Sequence, residues 1–242
     1  MSDKNPEYDF KWCPGCGDFG VRRALEQAVA RRLVEAEEPI EQTVVVVAGD
    51  GDFLSIGMEH IAPQAQRNLN VCAVVMDNGV YGLTKGQSSP TSELGMITSS
   101  TPFGKAEEGL NPLRLYLTIG VSHIASALSS KIKDMANMIY DAMEYPGFSV
   151  VHVQSPCTEY NDTYKVLKGE PRKGIPGRAW DIADDHDPSN IDAAAGLLER
   201  DGIPLGLLYQ AEPQPTMTQR LDDLKTKART LTTEQMVASY GV

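Results

Sequence analysis

From Val21 onward, apolar residues return at helical spacing. Val21, Leu25, Ala28, Val29 and Leu33 recur through VRRALEQAVARRLVEAEE and predict an amphipathic helix. The period then changes. TVVVVA is an uninterrupted β-branched run, which predicts a strand covered on both faces within a parallel sheet. Residues 53–68 regain helical spacing and predict a crossover helix, and VCAVVMDN predicts a second buried strand. A stretch rich in Ser, Thr, Pro and Gly, roughly 86–112, reads as loop. SSKIKDMANMIYDAMEY predicts a helix, and Pro146-Gly147 separates it from a third strand, FSVVHV. This strand–helix–strand alternation predicts a doubly wound, mostly parallel α/β domain over residues 1–157. From 158 to 242 the chain is polar and Pro/Gly-punctuated, with a helix near IDAAAGLLER and a charged tail. That part reads as an irregular extension packing on the same domain or on a partner.

Composition narrows the class. At 242 residues the chain can bury one good core. Hydrophobic content of 41% with 23% charged residues is that of a globular protein in water. There is no apolar run of membrane-spanning length, and MSDKNPEYDF is no secretory signal, so a cytoplasmic address is expected. The four cysteines should then be thiols or metal ligands rather than disulfides. A net charge of −11 argues against a nucleic-acid partner.

The candidate chemistry begins at AGDGDFLSIG. Glycines at a strand end admit a close guest, commonly phosphate, yet Asp50 and Asp52 would repel one. Neither a dinucleotide fingerprint nor a P-loop fits, because Gly49-Asp50-Gly51-Asp52 lacks a third glycine and no G-K-[ST] follows. A divalent cation between carboxylate and diphosphate would reverse the local sign. Ligands of open parallel sheets bind at the carboxyl ends of the strands, where Asp50 and Asp77-Asn78 lie. Asp and Asn oxygens are hard donors of the kind Mg²⁺ takes. Downstream, Tyr81-Gly82-Leu83-Thr84-Lys85-Gly86-Gln87 offers a hydroxyl, an ammonium and glycine-freed amides.

GDG, followed after 26 residues by Asn78, resembles the thiamine-diphosphate motif. That resemblance implies Mg²⁺ ligation by Asp50, Asn78 and the Val80 carbonyl. It also implies a cofactor-binding set of Gly49, Asp50, Gly51, Asp52, Asn78, Tyr81, Gly82, Leu83, Thr84 and Lys85, with Lys85 as candidate catalytic residue. Cys13-Pro-Gly-Cys16 precedes a helix and Cys157 ends the third strand. A C-x-x-C pair reads as zinc, redox dithiol or iron–sulfur. Zinc would want further ligands close by, and a redox dithiol its own βαβ setting. Cys72 sits mid-strand and reads as a small core residue.

WCPGCGDFG, AGDGDFLSIG, DNGVYGLTKGQ, PGFSVVHVQSPC and HDPSN…IPLGLLYQ together resemble the β subunits of 2-oxoacid:ferredoxin oxidoreductases, above all the two-subunit 2-oxoglutarate enzymes. The resemblance implies that Cys13, Cys16 and Cys157 are three ligands of a [4Fe–4S] cluster. It implies CoA-dependent oxidative decarboxylation of a 2-oxoacid with electrons passed to ferredoxin, reversible as CO₂ fixation. An α subunit should bring the second thiamine domain and the substrate pocket, in a dimer of αβ heterodimers. One departure stands out. The family carries a strand, a fourth ligating cysteine and a His/Gly-rich stretch ahead of the GDG strand, whereas here LVEAEEPIEQ runs directly into TVVVVAGDG. Losing that block should affect folding as well as function. Pyruvate as substrate, a non-redox thiamine decarboxylase and a non-catalytic binding subunit remain the competing readings. His60 and His123 are candidates for the pocket or for structural hydrogen bonding. Lys165, Lys168, Arg172, Lys173 and Arg178 form either a docking patch for acidic ferredoxin or a solvated loop.

Overall fold

The computed structural model describes residues 12–36, 43–228 and 231–240; MSDKNPEYDF and residues 37–42 of the LVEAEEPIEQ junction lie outside the described residues. In chain order the elements begin with α1 (Asp18–Glu35), β1 (Val44–Gly49), a π-helical turn (Asp52–Ile56), α2 (Met58–Arg67) and β2 (Val71–Asp77). A small hairpin follows, β3 (Val80–Tyr81) with β4 (Gln87–Ser88), and then α3 (Pro112–Thr118), β5 (His123–Leu128), α4 (Ile132–Glu144) and β6 (Phe148–Gln154). The remainder holds α5 (Tyr164–Lys168), β7 (Gly169–Glu170), β8 (Ile175–Pro176), β9 (Ala179–Asp181), α6 (Ile191–Leu197), β10 (Ile203–Gln210), α7 (Met217–Ala228) and α8 (Thr233–Ser239).

The central sheet runs β1-β2-β6-β5-β10-β9. Strands β1, β2, β6 and β5 are mutually parallel, β10 is antiparallel to β5, and β9 is parallel to β10. One face is covered by α1 and α4, whose Val21, Ala24, Ala28, Met135 and Ile139 pack on Val74, Val151 and Ala125. The other face carries Ile61 and Ala65 of α2, Leu113 and Tyr116 of α3, and Ala194 of α6. The expected doubly wound α/β architecture is present, with helices on both sides of a mostly parallel sheet. Among the described residues no helix is long and apolar enough to cross a membrane.

Three expectations are corrected. The valine run of β1 is not covered on both faces: β1 is the sheet edge, and Val44, Val46 and Val47 are 54%, 41% and 45% exposed. Among the described residues its hydrogen-bonding partner, β2, lies on one side only, which leaves it at the rim of the sheet. In α1, Val21, Ala24 and Ala28 are buried while Val29 and Leu33 are exposed. The small-residue stripe seats this helix close against α4, which turns the larger aliphatics away. The chain after residue 158 is also more regular than its polarity suggests, since it supplies β9 and β10 to the main sheet. Strand β5 is fully buried yet reads HIASAL, whose His and Ser mask its strand character.

Candidate functional site

Because β1 and β2 are parallel neighbours in the register Gly49↔Met76, their carboxyl ends bring Asp50 beside Asp77 and Asn78. Asp50 is 1% exposed. Its Oδ1 accepts from the Asn78 N–H at 3.4 Å and its Oδ2 from Thr91 Oγ1 at 2.7 Å. Asp77 Oδ1 accepts from the Gly79 N–H at 3.0 Å and lies 2.8 Å from the same Thr91 hydroxyl. One hydroxyl proton cannot serve two carboxylates. Burial, then the Asp77 charge, raise Asp50 to about 6. For Asp77 burial acts upward too, but hydrogen bonds from His152, Thr91 and Gly79 outweigh it and hold this carboxyl below its usual range.

Beneath the pair, His152 Nε2 lies 2.9 Å from Asp77 Oδ2 and its Nδ1 lies 3.2 Å from the Tyr116 hydroxyl. The neutral tautomer that donates from Nε2 and accepts Tyr116 O–H at Nδ1 satisfies both contacts. No sequence motif points to His152, Tyr116 or Thr91; a histidine inside an otherwise apolar buried strand is the one available signal. The two histidines singled out from the sequence sit elsewhere. His60 is exposed, and His123 is buried on β5 with its Nδ1 3.2 Å from Gln210 Oε1.

The following loop holds the remaining candidates. Asn78 is half-buried, and its Oδ1 accepts from the Val80 N–H at 3.0 Å. Tyr81 donates to the Gly51 carbonyl at 3.1 Å, and a Cβ on Gly51 would overlap the Tyr81 ring. Asp52, Leu83, Thr84 and Lys85 are exposed, and Thr84 Oγ1 donates to Gln87. Lys85 holds a φ of 85°, costly for a side-chain-bearing residue. A cavity of about 780 Å³ borders Asp77, Asn78, Gly79, Thr91, His152 and Asn161.

The oxygens of Asp50 and Asn78 are suited to a hard divalent cation, whose charge would offset the repulsion between two carboxylates that share one Thr91 hydroxyl. The cysteines fit a cluster less well. Cys13, Cys16 and Cys157 are on adjoining turns, joined by Gly17 N–H to the Pro156 carbonyl and Thr158 Oγ1 to the Pro14 carbonyl. Yet among the described residues no three His, Cys, Asp or Glu side chains converge as a metal-binding group. Burial pushes the Cys16 thiol up to about 11, opposed in part by the hydrogen bond from the Asp18 backbone N–H. Cys72 is 1% exposed in the core. Of the basic residues after Cys157, Lys173 pairs with Glu170, Arg178 pairs with Glu93, and Lys168 stands over the Tyr164 ring.

Among known proteins, residues 3–153 match the family described as thiamine pyrophosphate enzyme, C-terminal TPP binding domain. Residues 176–226 match the C-terminal family of the pyruvate ferredoxin oxidoreductase beta subunit. The solved 2-oxoglutarate:ferredoxin oxidoreductase from Magnetococcus marinus superposes with a TM-score of 0.80 at 30% identity, covering 98% of this chain and 96% of that one. The 2-oxoacid:ferredoxin oxidoreductase subunit beta of Saccharolobus solfataricus is 28% identical over 258 residues, covering 87% of this chain and 85% of its own. KorB, the 2-oxoglutarate oxidoreductase subunit of Mycobacterium tuberculosis, is 33% identical over 69% of this chain and 56% of its own. The chain belongs to the β subunits of 2-oxoacid:ferredoxin oxidoreductases, thiamine-dependent enzymes built from unlike subunits. The Saccharolobus alignment is longer than the share of this chain it spans, so that relative carries internal residues with no counterpart here.

Proposed function

We propose that this chain holds Mg²⁺ and thiamine diphosphate in a CoA-dependent 2-oxoglutarate:ferredoxin oxidoreductase. The observation that carries the reading is the meeting of Asp50 and Asn78 at two neighbouring strand tips, beside a carboxylate pair short of positive charge. Asp50, Asn78 and the Val80 carbonyl hold the cation. Gly49 gives the diphosphate room, Gly51 lies beside it and admits the Tyr81 ring, Tyr81 steadies the Gly51 carbonyl, and Asp52 shapes the turn. Leu83, Thr84 and Lys85 reach diphosphate or substrate from the exposed turn. Thiamine diphosphate, when bound, supplies the carbanion chemistry for removing CO₂ from a 2-oxoacid. The choice of 2-oxoglutarate and CoA leans on the Magnetococcus enzyme, which was solved with 2-oxoglutarate, coenzyme A and succinyl-CoA bound.

The site is completed by an α subunit. Leu83, Leu94, Ile97 and Phe103 are 97%, 54%, 73% and 100% exposed near the metal loop, an apolar surface suited to a contact between subunits. The working unit is then a dimer of αβ heterodimers in the cytoplasm. Ferredoxin takes the electrons, docking near Lys165, Lys168 and Arg172, and reduced ferredoxin drives the reaction backwards as CO₂ fixation. Cys13, Cys16 and Cys157 are the candidate [4Fe–4S] ligands, but they do not converge and a fourth is lacking among the described residues, so no electron path is drawn through them. The competing reading is a non-redox thiamine decarboxylase.

The test is Asp50→Ala with the complex intact. Mg²⁺-dependent thiamine diphosphate binding, followed by calorimetry, should fall at least about 100-fold while the far-ultraviolet spectrum is unchanged. Undiminished affinity would remove the ligand assignment. Visible absorbance that bleaches on adding 2-oxoglutarate and CoA would separate the redox enzyme from the decarboxylase.

A further inference from the structure

The loop that carries Asn78 and the bend that carries Cys157 are interlocked at several points. Asn161 Nδ2 donates to the Asn78 carbonyl at 2.8 Å. The same residue's backbone N–H donates to the Cys157 carbonyl at 2.9 Å, closing the bend as an isolated bridge. Two glycines of the metal loop, Gly79 and Gly86, admit the bend, and a third, Gly82, lies at ordinary contact distance from it. A Cβ on Gly79 would stand 2.9 Å from Asn161 Nδ2, one on Gly82 3.7 Å from Cys157 Sγ, and one on Gly86 2.6 Å from the Tyr160 ring. Gly79 and Gly86 also hold φ of 69° and 82°, so backbone and contact ask for glycine together.

We propose that Asn161 is a positioning residue that latches these two turns into one unit, so that filling the diphosphate site is felt at the Cys157 thiol. The proposal rests on the reading of Asp50 and Asn78 as cation ligands. The physical reason is short-range. The Asn78 carbonyl belongs to the same residue as the side chain proposed to bind the cation, and its hydrogen-bond donor belongs to the cysteine bend. A shift of the ligand loop therefore drags the bend, and by linkage a shift of the bend changes affinity at the loop. Such a latch fixes the spacing between the diphosphate site and the Cys157 thiol.

Asn161→Asp keeps the shape but replaces the donor with an oxygen facing a carbonyl, and Asn161→Ala removes the contact. The full chain, in its complex, is treated anaerobically with reductant and iron chelator and returned to Mg²⁺ with or without thiamine diphosphate. Iodoacetamide labelling of each cysteine is then timed by peptide mass spectrometry. In wild type, thiamine diphosphate should change the Cys157 labelling rate about 5-fold or more. In both variants that response should vanish and cofactor affinity should drop about 5- to 10-fold. Cys72 reports unfolding, because it is 1% exposed and should stay unlabelled throughout. If wild type binds the cofactor and the variants match it in affinity and in Cys157 response, the latch is overturned while the site assignment survives. If wild type shows no Mg²⁺-dependent binding, the site assignment itself falls and takes the latch with it.

Discussion

Strands β1 and β6 have similar composition and opposite circumstances. VVVVAG lies at the sheet edge with three valines more than two-fifths exposed, whereas FSVVHVQ is buried along its length except at Gln154. Their functional ends are reversed. The body of β1 is open but the next residue, Asp50, is 1% exposed. The body of β6 is closed, and within it His152 supports Asp77 from below. β-branched runs therefore identify strands without saying where in the sheet they stand. A strand's value to the site depends on where its end arrives, not on how well its body is covered.

The comparison breaks most sharply at Val151, which is 0% exposed. Val151→Asp should destabilise the protein by at least about 4 kcal/mol, because an unpaired charge enters the core. Urea unfolding within about 1 kcal/mol of wild type would show that β6 is not the buried centre of the sheet. Acid comes next. Burial lowers the His123 pKa to about 4, below its ordinary value. The unfolded chain then binds the proton first, so stability is full above about pH 6.5 and is lost as pH falls toward 4, by about 3 kcal/mol. His123→Gln should flatten that slope in thermal melts; an unchanged slope would place the acid sensitivity elsewhere.

A smaller effect sharpens the role of β6. Tyr116→Phe removes the hydroxyl 3.2 Å from His152 Nδ1 and should cost about 1–2 kcal/mol, with a few-fold loss of Mg²⁺–thiamine diphosphate affinity. Calorimetry showing full stability and full affinity would disconnect His152 from the site. The smallest change is expected in β1. Val46→Thr should alter stability by less than about 0.5 kcal/mol while reducing light scattering, since an apolar open edge invites pairing between chains. A loss of about 2 kcal/mol or more would mean that the outer side of β1 is covered.

Much of the candidate site's geometry was readable because it is written in short segments. GDG at a strand end and Asn78 at the end of the next strand need only one right-handed crossover to meet. Thr91, His152, Tyr116 and Asn161 were not readable in that way. They come from a loop, a strand, a helix and a bend whose meeting depends on sheet order, and none carries a local motif. Strand β5 escaped for a related reason: Ser126 is 0% exposed, and a buried serine looks like a surface residue until its neighbours are known.

Local chemistry by itself determined the strand–helix alternation, the glycine turn after β1 and the pairing of hard oxygen donors across two strand tips. Those follow from backbone sterics and from residue types within a few positions of each other. Only the tertiary structure decided that β1 is an edge, that β9 and β10 extend the sheet, and that one threonine proton lies between two carboxylates. It alone brought the Cys157 bend against the glycines of the loop after β2. Burial and long-range contact are properties of the packed whole, and sequence spacing carries no measure of them.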